Sequence, residues 1–220
     1  MQTIIASSHR SGLRKKFAVV ALALTTCLGG VAVAVPAADA APVIRNDVMA
    51  VLAASALTDM QTYLVTGDRE TRQRFVASRN GLAVAMSMRL GIDPVRMQVA
   101  WASADDTHQK ALLAALSQLG VRYRRNMSRA GEGFDCSGLT SYAWAVAGVS
   151  IAHQSRTQIR AAVAITAATA QAGDLVYYPG HVMMYLGVDS AIVHAPNSGR
   201  TVEVGQLTKR KNVRFGDPTH

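Results

Sequence analysis

The sequence predicts an α+β fold in which helices come first and an antiparallel sheet follows. From residue 47 to 147, apolar side chains recur at intervals of three and four residues, which is typical of amphipathic helices. Beyond residue 172 the pattern changes to short apolar runs separated by the turn signals PG, VDS and PNSG. Hydrophobic residues make up 50% of the chain and charged residues 17%, which indicates a globular protein rather than a disordered one.

The first 40 residues have the layout of a secretory signal peptide. Basic residues at 10 and 14–16 precede a long apolar run, and the small residues Ala38 and Ala40 fit cleavage after Ala40. We therefore expect a protein of the cell envelope or the secreted fraction that meets the membrane only during export. Two alternatives stay open. The run approaches the length that spans a bilayer, which would leave an uncleaved anchor, and Cys27 would be the site of a lipid.

Net charge and cysteine content narrow the function. The formal net charge of +9 favours anionic surroundings such as nucleic acid, lipid headgroups or an acidic cell wall. Aromatic residues make up only 5% of the sequence, and with the export signal and no nucleic-acid-binding motif this argues against a nucleic-acid partner. Without residues 1–40, Cys136 is the only cysteine, which excludes an intramolecular disulfide and a cysteine-rich zinc site. We expect no metal and no other cofactor.

Residues 41–105 are predicted to form a helical N-terminal region. One helix over 47–66 is marked by Val48, Leu52, Ala56 and Met60. Asp68 caps a second helix that runs through about Leu90, and a third begins at Pro94. We interpret this region as a packing extension of the domain that follows, with a cover over that domain's active-site groove as the alternative.

Two further helices are predicted over 105–120 and 136–147. The first buries Ala111, Leu112, Ala115, Leu116 and Leu119. His108 near its start is expected at the surface. The second begins in the stretch GEGFDCSGLTSYAWAVAGV, with Cys136 in its first turn and Asp135 near the cap position. Because a helix N-terminus lowers the pKa of a thiol, Cys136 is a candidate nucleophile.

The strands DLVYY, HVMMYLG, AIVHA and TVEV bring two histidines to the same region. If Leu186 pairs with Ala191, residue 181 faces residue 196, and residue 194 is its diagonal neighbour on the same side. His181 and His194 then project together. A thiol with such a pair can carry out acyl transfer: Cys136 attacks, His181 moves the proton and His194 orients His181.

Three motifs in this order, GFDCSGL, AGDLVYYPGHVMMYLG and IVHAPNSG, resemble the NlpC family of bacterial cell-wall cysteine peptidases over about residues 107–208. The resemblance implies a papain-like peptidase domain over 106–220, in a bacterium. It also implies cleavage of peptidoglycan stem peptides, commonly between D-γ-glutamate and meso-diaminopimelate. Its catalytic positions correspond to Cys136, His181 and His194.

The resemblance further implies that Tyr123, Asp135 and Ser137 contact the substrate. The sequence departs from the family in the loop VRYRRNMSRAG, at Met183 and Met184, and at Ala152, where a proline is usual. His153, close to that last position, is interpreted as an edge or surface residue. Two other functions stay open: a thiol acyltransferase or transpeptidase on wall peptides, and a catalytically silent wall-binding module. The sequence identifies no protein partner.

Overall fold

A computed structural model describes residues 47–219; residues 1–46, and with them the predicted signal peptide, lie outside the described residues. Within residues 47–219 the chain forms six helices: α1 (Val48–Thr66), α2 (Arg69–Leu90), α3 (Pro94–Ser103), α4 (Asp106–Leu116), α5 (Cys136–Val146) and α6 (Ser155–Ala161). The same residues form eight strands: β1 (Ser128–Arg129), β2 (Gly133–Phe134), β3 (Val163–Ile165), β4 (Leu175–Tyr178), β5 (His181–Tyr185), β6 (Ala191–His194), β7 (Glu203–Gln206) and β8 (Arg214–Asp217). The predicted α+β class is confirmed.

The first five helices each begin directly after an aspartate. These N-cap residues are Asp47, Asp68, Asp93, Asp105 and Asp135, and each carboxylate accepts a hydrogen bond from at least one backbone amide of the first turn. Such amides have no partner within the helix, and losing a cap costs about 1 kcal/mol. The structure confirms the predicted cap at Asp68 and the predicted helix start at Pro94.

The predicted boundaries of α1 are confirmed, and two of its four predicted inward residues, Ala56 and Met60, are buried. The helix buries Ala50, Ala53, Ala56 and Met60. Val48 and Leu52 are instead 68% and 40% exposed. Small side chains let α1 pack closely on α2 and α4, and the spacing of large apolar residues does not reveal such a face. In residues 47–219, α1 alone is long and apolar enough to cross a membrane by length and composition.

The main sheet is antiparallel and has the strand order β3-β8-β4-β5-β6-β7, whereas β1 and β2 form a separate pair. The four predicted strands correspond to β4–β7. Strands β3 and β8 were not predicted, because VAI and RFGD are too short and too exposed to show an alternating pattern. Val182, Met184 and Val193 face the main core, and Met183, Tyr185 and Ile192 form a second cluster on the other face.

Gly138 lets the first turn of α5 pack against the loop that precedes it. A Cβ at this position would lie 2.0 Å from the Met127 carbonyl oxygen and 2.8 Å from His153 Nε2. The Asp135 carboxylate joins the same loop to α5, because it accepts hydrogen bonds from the backbone amides of Asn126 and Gly138 at 2.8 and 2.7 Å. The glycine and aspartate of the DCSG motif thus fix the position of Cys136 between them.

His108 is fully buried, and the prediction of a surface position is wrong. Its Nε2 lies 3.1 Å from Asp174 Oδ1 and 3.4 Å from Asp217 Oδ1, and its Nδ1 lies 2.7 Å from Asp105 Oδ2. Burial opposes the protonated form, but the hydrogen bond with Asp174 and the charges of the three carboxylates outweigh it and raise the pKa of His108. Two of these partners come from the sheet region, so the pattern of the helix alone could not show them.

Helices α1–α3 share one hydrophobic core with the rest of residues 47–219. Trp101 Nε1 donates a hydrogen bond to the Leu186 carbonyl oxygen at 2.9 Å, and Arg96 pairs with Asp189 at 2.7 Å. Both contacts reach the turn between β5 and β6, whereas His181 and His194 lie at the opposite end of that hairpin. This placement favours a packing extension over a cover for the groove.

Candidate active site

The thiol of Cys136 lies where the start of α5 meets the start of β5. Cys136 is the first residue of α5 and is partly buried. The backbone amides of Val182 and Ser137 lie close enough to its sulfur to favour the thiolate. Because Val182 directly follows His181, this contact places the thiol beside the strand that carries the predicted base.

Burial raises the pKa of the Cys136 thiol. The amides of Val182 and Ser137 favour the thiolate, but the nearby charge of Asp135 acts with burial against it. The pKa is therefore raised, and the lowering expected from the helix N-terminus is wrong. Loss of hydration outweighs the two amides. A raised pKa leaves Cys136 as a neutral thiol at neutral pH.

His181 and His194 are joined directly by a hydrogen bond. His181 Nε2 lies 2.9 Å from His194 Nδ1. The predicted register is confirmed, since Met184 pairs with Val193 and the Leu186 amide donates to the Ala191 carbonyl oxygen at 2.9 Å. The turn length and the alternation of side chains thus place both rings on one face of the sheet.

Both imidazoles are held in the neutral form. Burial, together with the neighbouring His194 and Arg210, lowers the pKa of His181 to about 4. Burial and Arg200 lower the pKa of His194 to about 4 as well. A neutral His181 can accept a proton at pH 7, which a general base requires.

An aromatic and a basic side chain enclose His181. The Tyr178 ring packs against the His181 ring at 5.3 Å, and the Arg210 guanidinium lies 5.0 Å from the centre of the Tyr178 ring. These contacts limit the orientations of the imidazole. Neither residue was predicted from the sequence, because tyrosines and arginines of this kind also occur on ordinary sheet faces.

The structure brings the three predicted substrate residues close to the thiol. Tyr123 forms a β-bridge with Phe134, two residues before Cys136, and burial together with the charges of Cys136 and Asp135 raises the pKa of Tyr123. Asp135 and Ser137 are buried, and Ser137 Oγ donates to Asp135 Oδ1 at 3.3 Å. Both Asp135 oxygens already accept hydrogen bonds from the protein. Contact of the three residues with a substrate stays a prediction.

Two polar side chains support this arrangement. His153 Nε2 lies 3.0 Å from Asp135 Oδ1 at the partly exposed edge of the site. Gln158 on α6 is 1% exposed; its Nε2 donates to the Ser137 carbonyl oxygen at 2.9 Å, and its Oε1 accepts from Thr140 at 2.7 Å. Gln158 was not predicted from the sequence, because the surrounding SRTQIRA segment is mostly polar.

Glu203 is the acidic residue opposite His194, and it too was not predicted from the sequence. Strands β6 and β7 pair so that these two residues face each other. Extending the hairpin register across PNSG would have placed Glu203 beside the site. Glu203 Oε1 lies 3.5 Å from His194 Nε2.

Metal-ligating side chains also come together outside the predicted site. One ligand atom each from His108, Asp174 and Asp217 lies within 4.8 Å of the others. The hydrogen bond between His108 and Asp174 accounts for this spacing. We interpret the cluster as a structural connection between α4 and the sheet.

Comparison with known proteins identifies the domain. Residues 120–213 match the model of the NlpC/P60 family. The matched segment contains Cys136, His181 and His194 with the elements that carry them. Residues 120–213 belong to the NlpC/P60 family. The family resemblance inferred from the three sequence motifs is therefore confirmed.

The relatives of this NlpC/P60 domain include named wall peptidases. The chain is 42% identical over 87 residues to the peptidoglycan endopeptidase RipB of Mycobacterium tuberculosis, covering 38% of this chain and 36% of the relative. It is 37% identical over 82 residues to the γ-D-glutamyl-L-lysine dipeptidyl-peptidase of Bacillus cereus, covering 34% and 24%. A solved structure of RipB is 26% identical, with a TM-score of 0.46, and the match covers 80% of this chain and 92% of that one. The chain spans about a third of the length of the first of these two curated relatives and about a quarter of the second.

Proposed function

We propose that this protein is a peptidoglycan endopeptidase that hydrolyses stem peptides with Cys136 as nucleophile. The observation that carries the proposal is the hydrogen bond between His181 and His194 beside the thiol. The three side chains come from α5, β5 and β6 and form the set that amide hydrolysis by a cysteine requires. The names of the two curated relatives support wall peptides as the substrate class.

The bond proposed for cleavage follows D-γ-glutamate, with meso-diaminopimelate on the amine side. The name of the Bacillus cereus relative supports the carbonyl side, because its bond also begins at a γ-D-glutamyl group. The amine side rests on the family resemblance of the three motifs.

His181 is the general base of the proposed reaction. Its Nε2 is bonded to His194, so Nδ1 is the nitrogen left to accept the thiol proton. The pKa of the thiol is raised and that of His181 is about 4, so the separated charges are unfavourable before attack. The proton therefore moves to His181 as the sulfur bonds to the carbonyl carbon.

The second half of the reaction returns this proton. The backbone N–H of Cys136, in the first turn of α5, is a candidate donor to the oxyanion. Protonated His181 gives its proton to the leaving nitrogen, the C–N bond breaks, and a thioester remains on Cys136. His181 then deprotonates a water molecule, which hydrolyses the thioester and restores the thiol.

Mass spectrometry of purified stem peptides incubated with the protein tests this proposal. We expect fragments that end in D-glutamate and fragments that begin with meso-diaminopimelate. Cys136→Ala should lower the rate by at least about 10⁴-fold, because the nucleophile is lost. Ser141→Ala is the matched control, since the Ser141 hydroxyl donates within α5 to the Gly138 carbonyl oxygen.

The outcomes separate the candidate functions. Cleavage by Cys136→Ala at the wild-type rate would rule out the cysteine mechanism. A product joined to an added amine would favour an acyltransferase or transpeptidase. Binding of stem peptides with no product from the wild type would favour a silent wall-binding module.

We also propose that the protein is exported with removal of residues 1–40. The order of basic, apolar and small residues at 1–40 supports this proposal. N-terminal sequencing of the protein recovered from the envelope or medium should begin at Ala41. Recovery with an intact Met1 would contradict cleavage and favour the uncleaved anchor.

A further inference from the structure

Two imidazoles joined by one hydrogen bond can share their protons in two ways. In the first arrangement, His181 Nε2–H donates to His194 Nδ1, and the second proton of the pair is on His194 Nε2. In the second arrangement, His194 Nδ1–H donates to His181 Nε2, and the second proton is on His181 Nδ1. Only the first leaves His181 Nδ1 able to accept the thiol proton, so only the first is productive.

A carboxylate contacts the outer nitrogen of this pair. Glu203 Oε1 lies 3.5 Å from His194 Nε2, and both side chains are mostly buried, with 28% and 18% exposure. This distance is longer than an ordinary N–H···O hydrogen bond, so the carboxylate acts mainly through its charge. The negative charge favours a proton on the nitrogen that faces it.

We infer that Glu203 is a positioning residue that selects the productive proton arrangement of the His181–His194 pair. The expected effect of Glu203 on the cleavage rate rests on the proposed function, whereas its effect on the proton arrangement does not. The side-chain contacts of Glu203 are with His194 and Arg200, so it acts on His181 through His194. The register of β6 and β7 holds it opposite His194.

Arg200 holds the carboxylate in place. Its guanidinium pairs with the same Oε1 of Glu203 and is about half exposed. The pairing fixes one carboxylate oxygen of Glu203 beside the buried imidazole. Loss of Arg200 should change the arrangement less than loss of Glu203, because the charge that selects the proton remains.

Nuclear magnetic resonance of ¹⁵N-histidine-labelled protein at pH 7 tests the inference without using activity. The long-range proton–nitrogen pattern of each ring shows which nitrogen carries the proton. In the wild type we expect Nε2–H on both His181 and His194. In Glu203→Ala we expect a substantial share of Nδ1–H on both rings. Glu203→Gln keeps an oxygen acceptor and should lie between the two.

Measurement of kcat and KM with stem peptides is the second test of the inference. Glu203→Ala should lower kcat by about tenfold with little change in KM, because the lost preference affects proton transfer rather than binding. Glu203→Gln should recover part of that loss. Glu132→Ala is the matched control, because Glu132 lies in an exposed pair with Arg129.

The NMR patterns and the cleavage rates together show whether the positioning role of Glu203 or the proposed peptidase function has failed. Unchanged Nε2–H patterns in folded Glu203→Ala would overturn the positioning role, whatever the rates. Altered patterns in a protein that cleaves no stem peptide would leave the positioning role intact and reject the proposed function. A kcat loss equal in Glu203→Ala and Glu203→Gln, with both patterns unchanged, would also overturn it.

Discussion

Cys136, His181 and His194 share one physical constraint, which is removal from water. Burial disfavours the thiolate of Cys136 and the imidazolium forms of both histidines, and it is the leading cause of the three pKa shifts. The site therefore holds a neutral thiol and two neutral imidazoles. It differs from a site that stores a preformed thiolate, and its reactivity depends on proton transfer during attack.

The reaction of Cys136 with iodoacetamide should reflect this neutral state. Since alkylation requires the thiolate, we expect the rate to rise with pH and to reach half its maximum at a higher pH than that of a free cysteine thiol. The measurement is mass spectrometry of the modified peptide after timed exposure between pH 6 and 10.5. A short cysteine peptide in the same solution is the control, and an inflection of the protein below that of the peptide would contradict the expectation.

At the scale of secondary-structure elements, a close approach of backbones fixes the start of α5. Gly138→Ala would place a Cβ 2.0 Å from the Met127 carbonyl oxygen, so either α5 or the loop must move. We expect the free energy of unfolding to fall by about 2–4 kcal/mol. Stem-peptide cleavage should fall as well, because Cys136 lies two residues away. Urea unfolding followed by circular dichroism measures the first effect.

Gly81→Ala is the control for this substitution. Gly81 lies in α2, and a Cβ there would meet nothing within 4 Å. Alanine should be neutral or stabilise α2 by about 0.5–1 kcal/mol, because it loses less conformational freedom on folding. Equal stability of Gly138→Ala and Gly81→Ala would show that the close contact at α5 does not restrict this position.

Sequence predicts the elements that depend on local patterns better than the features that depend on contacts between distant segments. Helices α2 and α5 and strands β4–β7 follow from local periodicity, caps and turns, and the histidine pair follows from a short hairpin register. The buried face of α1, the enclosure of His108 and the partners Gln158 and Glu203 depend on contacts between distant segments. The thiol pKa was mispredicted for the same reason, because burial is a property of the assembled site.

At the scale of the whole molecule, the pKa values of buried histidines are shifted in opposite directions in different parts of the fold. His181 and His194 are buried without an acidic partner strong enough to keep them charged, so the pKa of each is lowered to about 4. His108 is buried against Asp105, Asp174 and Asp217, so its pKa is raised. The first pair belongs to the active-site end of the sheet, whereas His108 connects α4 to the other elements of the core.

These opposite shifts predict that the protein is most stable near pH 6.5. Below pH 6.5 the unfolded chain binds protons at His181 and His194 that the folded protein excludes, so stability falls as the pH drops towards 4. Above pH 6.5 the unfolded chain loses a proton that the folded protein retains at His108, so stability falls as the pH rises through the folded pKa. Each histidine contributes at most about 1.4 kcal/mol per pH unit.

Urea unfolding at intervals from pH 5 to 8.5 measures how the free energy of unfolding depends on pH. The variant His108→Asn tests the part of this dependence above pH 6.5. The variant should be less stable at every pH, because it loses buried hydrogen bonds, and near-ultraviolet circular dichroism would show that it still folds. The informative quantity is the slope: above pH 6.5 the decline in the free energy of unfolding should disappear in His108→Asn, while the rise between pH 5 and 6.5 should remain. A variant that declines above pH 6.5 as steeply as the wild type would show that His108 is not protonated in the folded protein.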